Sequence, residues 1–204
     1  MSPQKHSTPR SNKKTFAREF RLQGTDGIRR EVKLSSSQET TSLTPQEVFL
    51  KLGFITEEFM EIYAYAHIKQ LMSTGKIQTG DSVVIGWDPR DPKGNYTSAV
   101  VSGICKAGVN ALILGVVPTP LVPMYMLYKN ARGGLMVTAS HNPRDQNGIK
   151  IFSSFKGLKL LPDNDLILTH AVLEVEPSIL RKLALKGKRI DSRKEALELF
   201  HNFS

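Results

Sequence analysis

Cysteine is almost missing from this chain. Cys105 stands alone in 204 residues, so no disulfide can close within the chain and apolar burial has to hold the core. That usage fits a reducing compartment, and a cytoplasmic location is expected. There is no run of eighteen or more apolar residues, and the amino terminus lacks the apolar centre of a secretory signal, so no membrane partner is expected. Acidic residues number 19 against 28 basic ones, for a formal net charge of +9. Clustered Lys and Arg can displace counterions from nucleic-acid phosphates, but here the excess lies toward the two ends, at Lys5, Arg10, Lys13 and Lys14 and again at Arg181, Lys182, Lys186, Lys188 and Arg189. Aromatics make up only 7% of the chain and do not interleave with those charges, as a base-stacking platform requires. No nucleic-acid partner is expected.

What is present reads as alternating strands and helices. Residues 1–15 are rich in Ser, Pro, Lys and Thr and are expected to be a disordered basic tail. Thr44-Pro45-Gln46-Glu47 combines a cap, a proline at the first helical position and a glutamate three residues after the cap, and Thr56-Glu57-Glu58 offers a second helix start. From there Phe59, Ile62, Tyr63, Ala66 and Leu71 keep helical spacing up to a stop at Gly75. His67 lies on this helix with no ligand partner one turn away and reads as structural or surface. Three apolar runs read as buried strands: Val83-Val84-Ile85-Gly86-Trp87, Ala111-Leu112-Ile113-Leu114-Gly115-Val116-Val117 and Gly133-Gly134-Leu135-Met136-Val137-Thr138. Helical segments over 96–108, with Cys105 as core filler, and over 121–130 separate them. The order strand, helix, strand, helix, strand is that of a largely parallel α/β sheet, so the loops after Trp87, Val117 and Ala139 should share one edge.

The third of those loops, Thr138-Ala139-Ser140-His141-Asn142-Pro143, is where chemistry is expected. Pro143 has no amide hydrogen and disfavours a helical Asn142, which keeps Ser140 outside regular structure. A serine hydroxyl needs a base, a cation or a preformed phosphoester to take part in turnover, and His141, its neighbour in an extended backbone, points away from it. Taken alone, the Ser-His pair is compatible with either a local turn hydrogen bond or a catalytic group. Asp88-Pro89-Arg90-Asp91 reads as a turn whose acids cap backbone rather than bind metal. Asn147-Gly148 signals a tight turn, after which Lys150 alternates with Ile149 and Ile151 and can face a cleft. Arg29 follows the glycine-flanked turn Gly24-Thr25-Asp26-Gly27 and could grip phosphate oxygens through both arms of its guanidinium. Near the end, Gly187-Lys188-Arg189-Ile190-Asp191 reads as a linker, and Ala196, Leu199, Phe200 and Phe203 form an apolar helical stripe.

Ser140-His141-Asn142-Pro143, Asn147-Gly148-Ile149-Lys150, Gly24-Thr25-Asp26-Gly27-Ile28-Arg29, Gly86-Trp87-Asp88-Pro89-Arg90 and Pro118-Thr119-Pro120 together resemble the α-D-phosphohexomutases, in that family's order and with similar spacings over about residues 20 to 160. The resemblance implies a three-layer α/β/α domain with a mixed, largely parallel sheet, here over 16–186, with 187–204 as a linker and the truncated first helix of a second domain. It also implies that Ser140 carries a phosphoryl group and then ligates Mg²⁺, and that Arg29, His141 and Lys150 stabilise or relay charge during transfer. A hexose phosphate is the implied substrate and glucose 1,6-bisphosphate the implied activator. The family's D-x-D-x-R metal loop does not occur in this chain, so domains II to IV of the same enzyme are the implied partners and the chain alone is expected to be inactive. The alternative is a noncatalytic module that binds phosphorylated ligands or a protein partner through the same loops. Arg30 stands where the family commonly has glycine.

Overall fold

The computed structural model describes residues 20–22, 24, 27–153 and 162–202. Among the described residues six strands form one mixed sheet: β1 (Ile28–Glu31), β2 (Ser82–Trp87), β3 (Asn110–Val116), β4 (Gly133–Val137), β5 (Gln146–Ser153) and β6 (Arg189–Asp191). Their spatial order is β1-β5-β4-β2-β3-β6. Strands β4, β2, β3 and β6 run parallel, while β5 is antiparallel to both β4 and β1. The carboxyl ends of β2, β3 and β4 therefore meet at one edge, with Trp87 paired to Val116 on one side and to Val137 on the other. The N-terminal tail expected over 1–15 lies outside the described residues.

Period-two alternation sorts the strand side chains between two cores. Val83 and Ile85, with Leu135, Val137, Ile149 and Ile151, face a layer made by α2 (Glu57–Ser73), α3 (Asn95–Lys106) and α5 (Pro162–Glu174). Val84, Leu112, Leu114, Met136 and Phe152 face the other way, against Leu121, Val122, Tyr125 and Met126 of α4 (Leu121–Tyr128). The result is three layers. Phe59, Ile62 and Tyr63 of α2 are all but inaccessible to solvent, each burial contributing about 2 kcal/mol.

Helix starts follow the local chemistry. Thr44 and Glu47 form a complete capping box at α1 (Pro45–Glu47), whose backbone widens into a π-helical turn over Val48–Leu52 and stops at left-handed Gly53. Thr56 caps α2 by accepting from the Phe59 amide. Asp91 receives the Asn95 and Thr97 amides at the start of α3, the capping role read for it from sequence.

Two sequence expectations are corrected. Asn147-Gly148 is not a turn but lies inside β5, where Gly148 pairs with Arg29 and a Cβ at Gly148 would sit 1.9 Å from the Ile28 carbonyl oxygen. Glycine is required there because β1 approaches so closely, and the Asn147 side chain accepts from the Gly148 amide. The segment expected as a linker instead supplies β6, which pairs with β3, because the Ala111 amide donates to the Lys188 carbonyl and the Ser192 amide to Ile113. Beyond it α7 (Arg193–Asn202) docks on the sheet and α4: Ala196 is fully buried, Leu199 and Phe200 pack on the second core, and Glu195 accepts from the Tyr125 hydroxyl. The apolar stripe is thus covered within this domain; its fourth member, Phe203, lies outside the described residues. A short helix, α6 (Pro177–Lys182), connects α5 to β6.

Candidate active site at the carboxyl edge of the sheet

Ser140 leaves the end of β4 in a left-handed backbone conformation, φ 57°. A non-glycine residue pays on the order of 1–2 kcal/mol for that geometry. Its Oγ is covered from solvent and has no hydrogen-bond partner among the described residues, which costs on the order of another 1–3 kcal/mol. Two local costs at one residue mark a position where structure has been spent on something other than stability.

Asp88 and Arg90, from the turn after β2, hold the loop in place. Arg90 Nε donates to both carboxylate oxygens of Asp88 at 2.9 Å. With side chains only 12% and 20% exposed, the pair is weakly screened by solvent. The other guanidinium nitrogens reach across fifty residues of sequence into the serine loop: Nη2 donates to the Ser140 carbonyl, and Nη1 to the carbonyls of Gln146 (2.9 Å), Pro143 (3.2 Å) and Asn142 (3.4 Å). On the other side, the Ser140 amide donates to Thr138 Oγ1 at 2.8 Å, and the Thr138 hydroxyl donates to Asp88. Asp88 also accepts from the Arg90 amide, so the turn reading holds, but its carboxylate does more than cap.

A cleft of about 590 Å³ opens at this edge, lined by Asp88, Pro89, Arg90, Pro92, Ser140 and Arg144. Asp88 and Arg90 neutralise each other, and Arg144 is exposed with no ion pair or hydrogen bond among the described residues, so the lining carries net positive charge. An anionic ligand suits it.

The other residues singled out from sequence lie on β1, on β5, in the upstream turn and in the serine loop itself. Arg29 and Lys150 share one face of the β1–β5 ribbon, because Arg29 pairs with Gly148 and Lys150 lies two residues further along β5, opposite Met136. The Thr138 amide donates to the Gly148 carbonyl, which joins that ribbon to the base of the serine loop. Lys150 is half-buried between fully buried Ile149 and nearly buried Ile151, the alternation expected for it. His141 is exposed at the loop tip. Gly24 and Gly27 close the upstream turn through two backbone hydrogen bonds, and Thr25 and Asp26 lie outside the described residues. The Arg30 guanidinium sits 5.6 Å from the centre of the Phe49 ring, so the residue that replaces a common glycine packs on an aromatic face of the first core. The clamping role of Arg90 and Asp88 was missed from sequence; the signal was an arginine beside an acid at a strand's carboxyl end.

His67 is buried on α2, remote from this edge. Burial, with a smaller contribution from Lys76, pushes its pKa down to about 4, and Nδ1 has no partner among the described residues, so it is a neutral core histidine. No helix among the described residues is long and apolar enough to cross a membrane.

An α/β/α domain with a serine loop and a cationic cleft at the carboxyl ends of its parallel strands defines the class, and comparison with known proteins gives the family. The model of phosphoglucomutase/phosphomannomutase, alpha/beta/alpha domain I, matches residues 21–176. This chain belongs to that family. The phosphoglucosamine mutase of Methylobacillus flagellatus is 36% identical over 152 residues, covering 74% of this chain and 30% of that protein, and that of Blochmanniella floridana is 34% identical over 167 residues, covering 82% and 32%. Among solved structures, parafusin, a phosphoglucomutase from Paramecium, aligns with a TM-score of 0.58 at 16% identity over 90% of this chain and 35% of its own. A phosphoglucomutase/phosphomannomutase family protein from Burkholderia thailandensis aligns with a TM-score of 0.53 at 23% identity, over 70% and 31%. These structural likenesses concern the fold. The chain spans between about a fifth and a third of the length of the curated relatives it matches.

Proposed function

We propose that this chain is the phosphoserine domain of a hexose-phosphate mutase, with Ser140 as the phosphoryl carrier. In the first half-reaction the Ser140 Oγ–phosphorus bond breaks, a bond forms from phosphorus to a sugar hydroxyl oxygen, and the hydroxyl proton passes through a base to the released serine oxygen. In the second half-reaction the bond from the sugar's other oxygen to its phosphorus breaks as the Ser140 Oγ–phosphorus bond re-forms, and the serine proton passes back to that sugar oxygen. Such transfers depend on alignment and charge neutralisation, which the cationic cleft and the held serine supply. Lys150 is the proton acceptor in this reading, and Arg29 and His141 neutralise phosphate charge. Arg144 adds the cleft's uncompensated positive charge. The observation that carries the reading is Ser140 itself, which lines a cleft of net positive charge with a left-handed backbone and a covered, unpartnered hydroxyl.

Mg²⁺ is implied by the family, and a phosphorylated Ser140 would offer it one oxygen. The residues at hand do not complete a site. No group of three His, Cys, Asp or Glu side chains gathers among the described residues, and Asp88 is already committed to Arg90 and Thr138. In this reading the remaining ligands and the sugar-selective residues come from domains II to IV of the mutase.

The test is intact-protein mass after exposure to glucose 1,6-bisphosphate, made on the chain joined to the remaining domains of a relative such as the Methylobacillus flagellatus mutase. A gain of one phosphoryl group, about 80 Da, mapped to Ser140 and absent in Ser140→Ala, is the expected result. An active joined enzyme with no phosphate on Ser140 overturns it. Ligand binding that survives Ser140→Ala without any phosphorylation would favour a noncatalytic binding module.

A further inference from the structure

We infer that Asp88 and Arg90 are the positioning residues of the serine, a closed hydrogen-bonded ring that holds the nucleophile's backbone from both sides. This rests on the reading of Ser140 as phosphoryl carrier. The peptide group before Ser140 is held through its amide, which donates to Thr138 Oγ1, and the Thr138 hydroxyl donates to Asp88. The peptide group after it is held through its carbonyl, which accepts from Arg90, and Arg90 Nε donates to the same Asp88 carboxylate. One carboxylate thus anchors both peptide groups that define the φ and ψ of Ser140. Neither residue is placed to react: every Arg90 nitrogen is engaged with Asp88 or a loop carbonyl, and both Asp88 oxygens already accept.

The geometry explains how an unfavourable backbone persists. Left-handed Ser140 would relax toward an extended conformation unless its two flanking peptides were fixed, and charge-assisted bonds in a poorly screened site are the strong ones. Arg90 is suited to this because a guanidinium presents five donors in a rigid plane and can serve a carboxylate on one edge and several carbonyls on the others. A lysine has a single ammonium and could not span Asp88, Ser140 and Gln146 together. Thr138 is matched in the same way: its hydroxyl accepts from the Ser140 amide and donates to Asp88 at once, which valine of the same shape could not do. The ring also reaches beyond the serine, because the Gln146 carbonyl held by Arg90 belongs to the first residue of β5, four positions before Lys150. One clamp therefore sets the serine and the strand that carries the lysine in a common frame.

The experiment uses hydrogen exchange on the 204-residue chain and kinetics on the joined enzyme. In Arg90→Ala the loop amides of Ser140, Asn142 and Gln146, each hydrogen-bonded in the native loop, should exchange about tenfold faster or more, while amides of β2 and β3 keep their protection. Millimolar free guanidinium should restore that protection, and Arg90→Lys should not. In the joined enzyme kcat should fall about tenfold to a hundredfold, by a larger factor than any rise in KM from the uncompensated Asp88 in the cleft, because a misplaced nucleophile lowers the rate of transfer. Asp88→Asn should reproduce both effects, and it decides the matter if Arg90→Ala does not fold. Loop exchange that matches wild type in the folded variant, or a rise in KM with kcat unchanged, overturns the assignment. A wild-type loop that is protected while Ser140 takes no phosphoryl group overturns the carrier reading instead and leaves the clamp in place.

Discussion

Two cavities of nearly equal volume lie at different places on this domain, and they differ in almost everything else. The cleft at the strand ends, about 590 Å³, is lined by Asp88, Arg90, Arg144, Ser140 and two prolines. The groove between α2, α5 and α6, about 570 Å³, is lined largely by apolar and aliphatic surface from Ala66, Ile167, Ala171, Val175, Ile179 and Leu180, with Lys69 and Glu174 among the polar residues. Volume does not tell them apart. The groove's residues are held by ordinary helix packing, whereas the cleft concentrates a left-handed serine, an unpartnered hydroxyl and an arginine with four carbonyl acceptors. Unfavourable local geometry maintained by nonlocal bonds distinguishes a site from a crevice.

The largest expected effect falls on the cleft alone. Ser140→Ala should abolish phosphoryl uptake and reduce turnover of the joined enzyme by about 10⁴-fold or more, read by intact mass and by sugar-phosphate assay, with thermal stability unchanged or slightly raised because an unpartnered hydroxyl is removed. Stability retained with activity intact would erase the contrast. Next comes the ribbon behind the cleft: Gly148→Ala puts a methyl group against the Ile28 carbonyl and should cost about 3 kcal/mol or more in urea unfolding.

The groove's side of the molecule should respond to pH instead. His67 titrates near 4 in the fold and near 6.5 when unfolded, so the unfolded chain binds the extra proton as the medium acidifies. Its contribution is whole above pH 6.5 and is lost progressively as pH falls to about 4, for a total of about 3 kcal/mol. Urea midpoints across that range should fall in wild type and flatten in His67→Phe. The smallest effect is expected from Ile179→Ser at the groove's rim. Ile179 is 61% exposed, so the change should shift stability by less than about 0.5 kcal/mol and leave phosphorylation of Ser140 untouched. Loss of phosphoryl uptake there would tie the groove to the cleft.

Much of the frame could be read residue by residue. The capping box at Thr44, the cap at Thr56, the alternation around Lys150 and the three apolar strands are all local patterns, and each appears where the pattern placed it. The failures also share one character. Asn147-Gly148 carries the local signature of a turn, yet the glycine is there because β1 lies against it, a neighbour more than a hundred residues away in sequence. Gly187 to Asp191 has the polarity of a linker because β6 is an exposed edge strand of only three residues, too short to show a period. Arg90 stands in a recognisable motif, but nothing local to it points to the loop carbonyls that it holds.

The sequence by itself determined the strands, the helix starts and the loop that bears Ser140, because backbone preference and side-chain period act over a few residues at a time. Only the tertiary structure decided which glycine meets which carbonyl, that β6 and α7 extend and cover the sheet, and that one half-buried carboxylate governs both peptides around the serine. Those outcomes depend on register between strands and on bonds spanning fifty residues or more, and no local preference encodes the partner of such a bond.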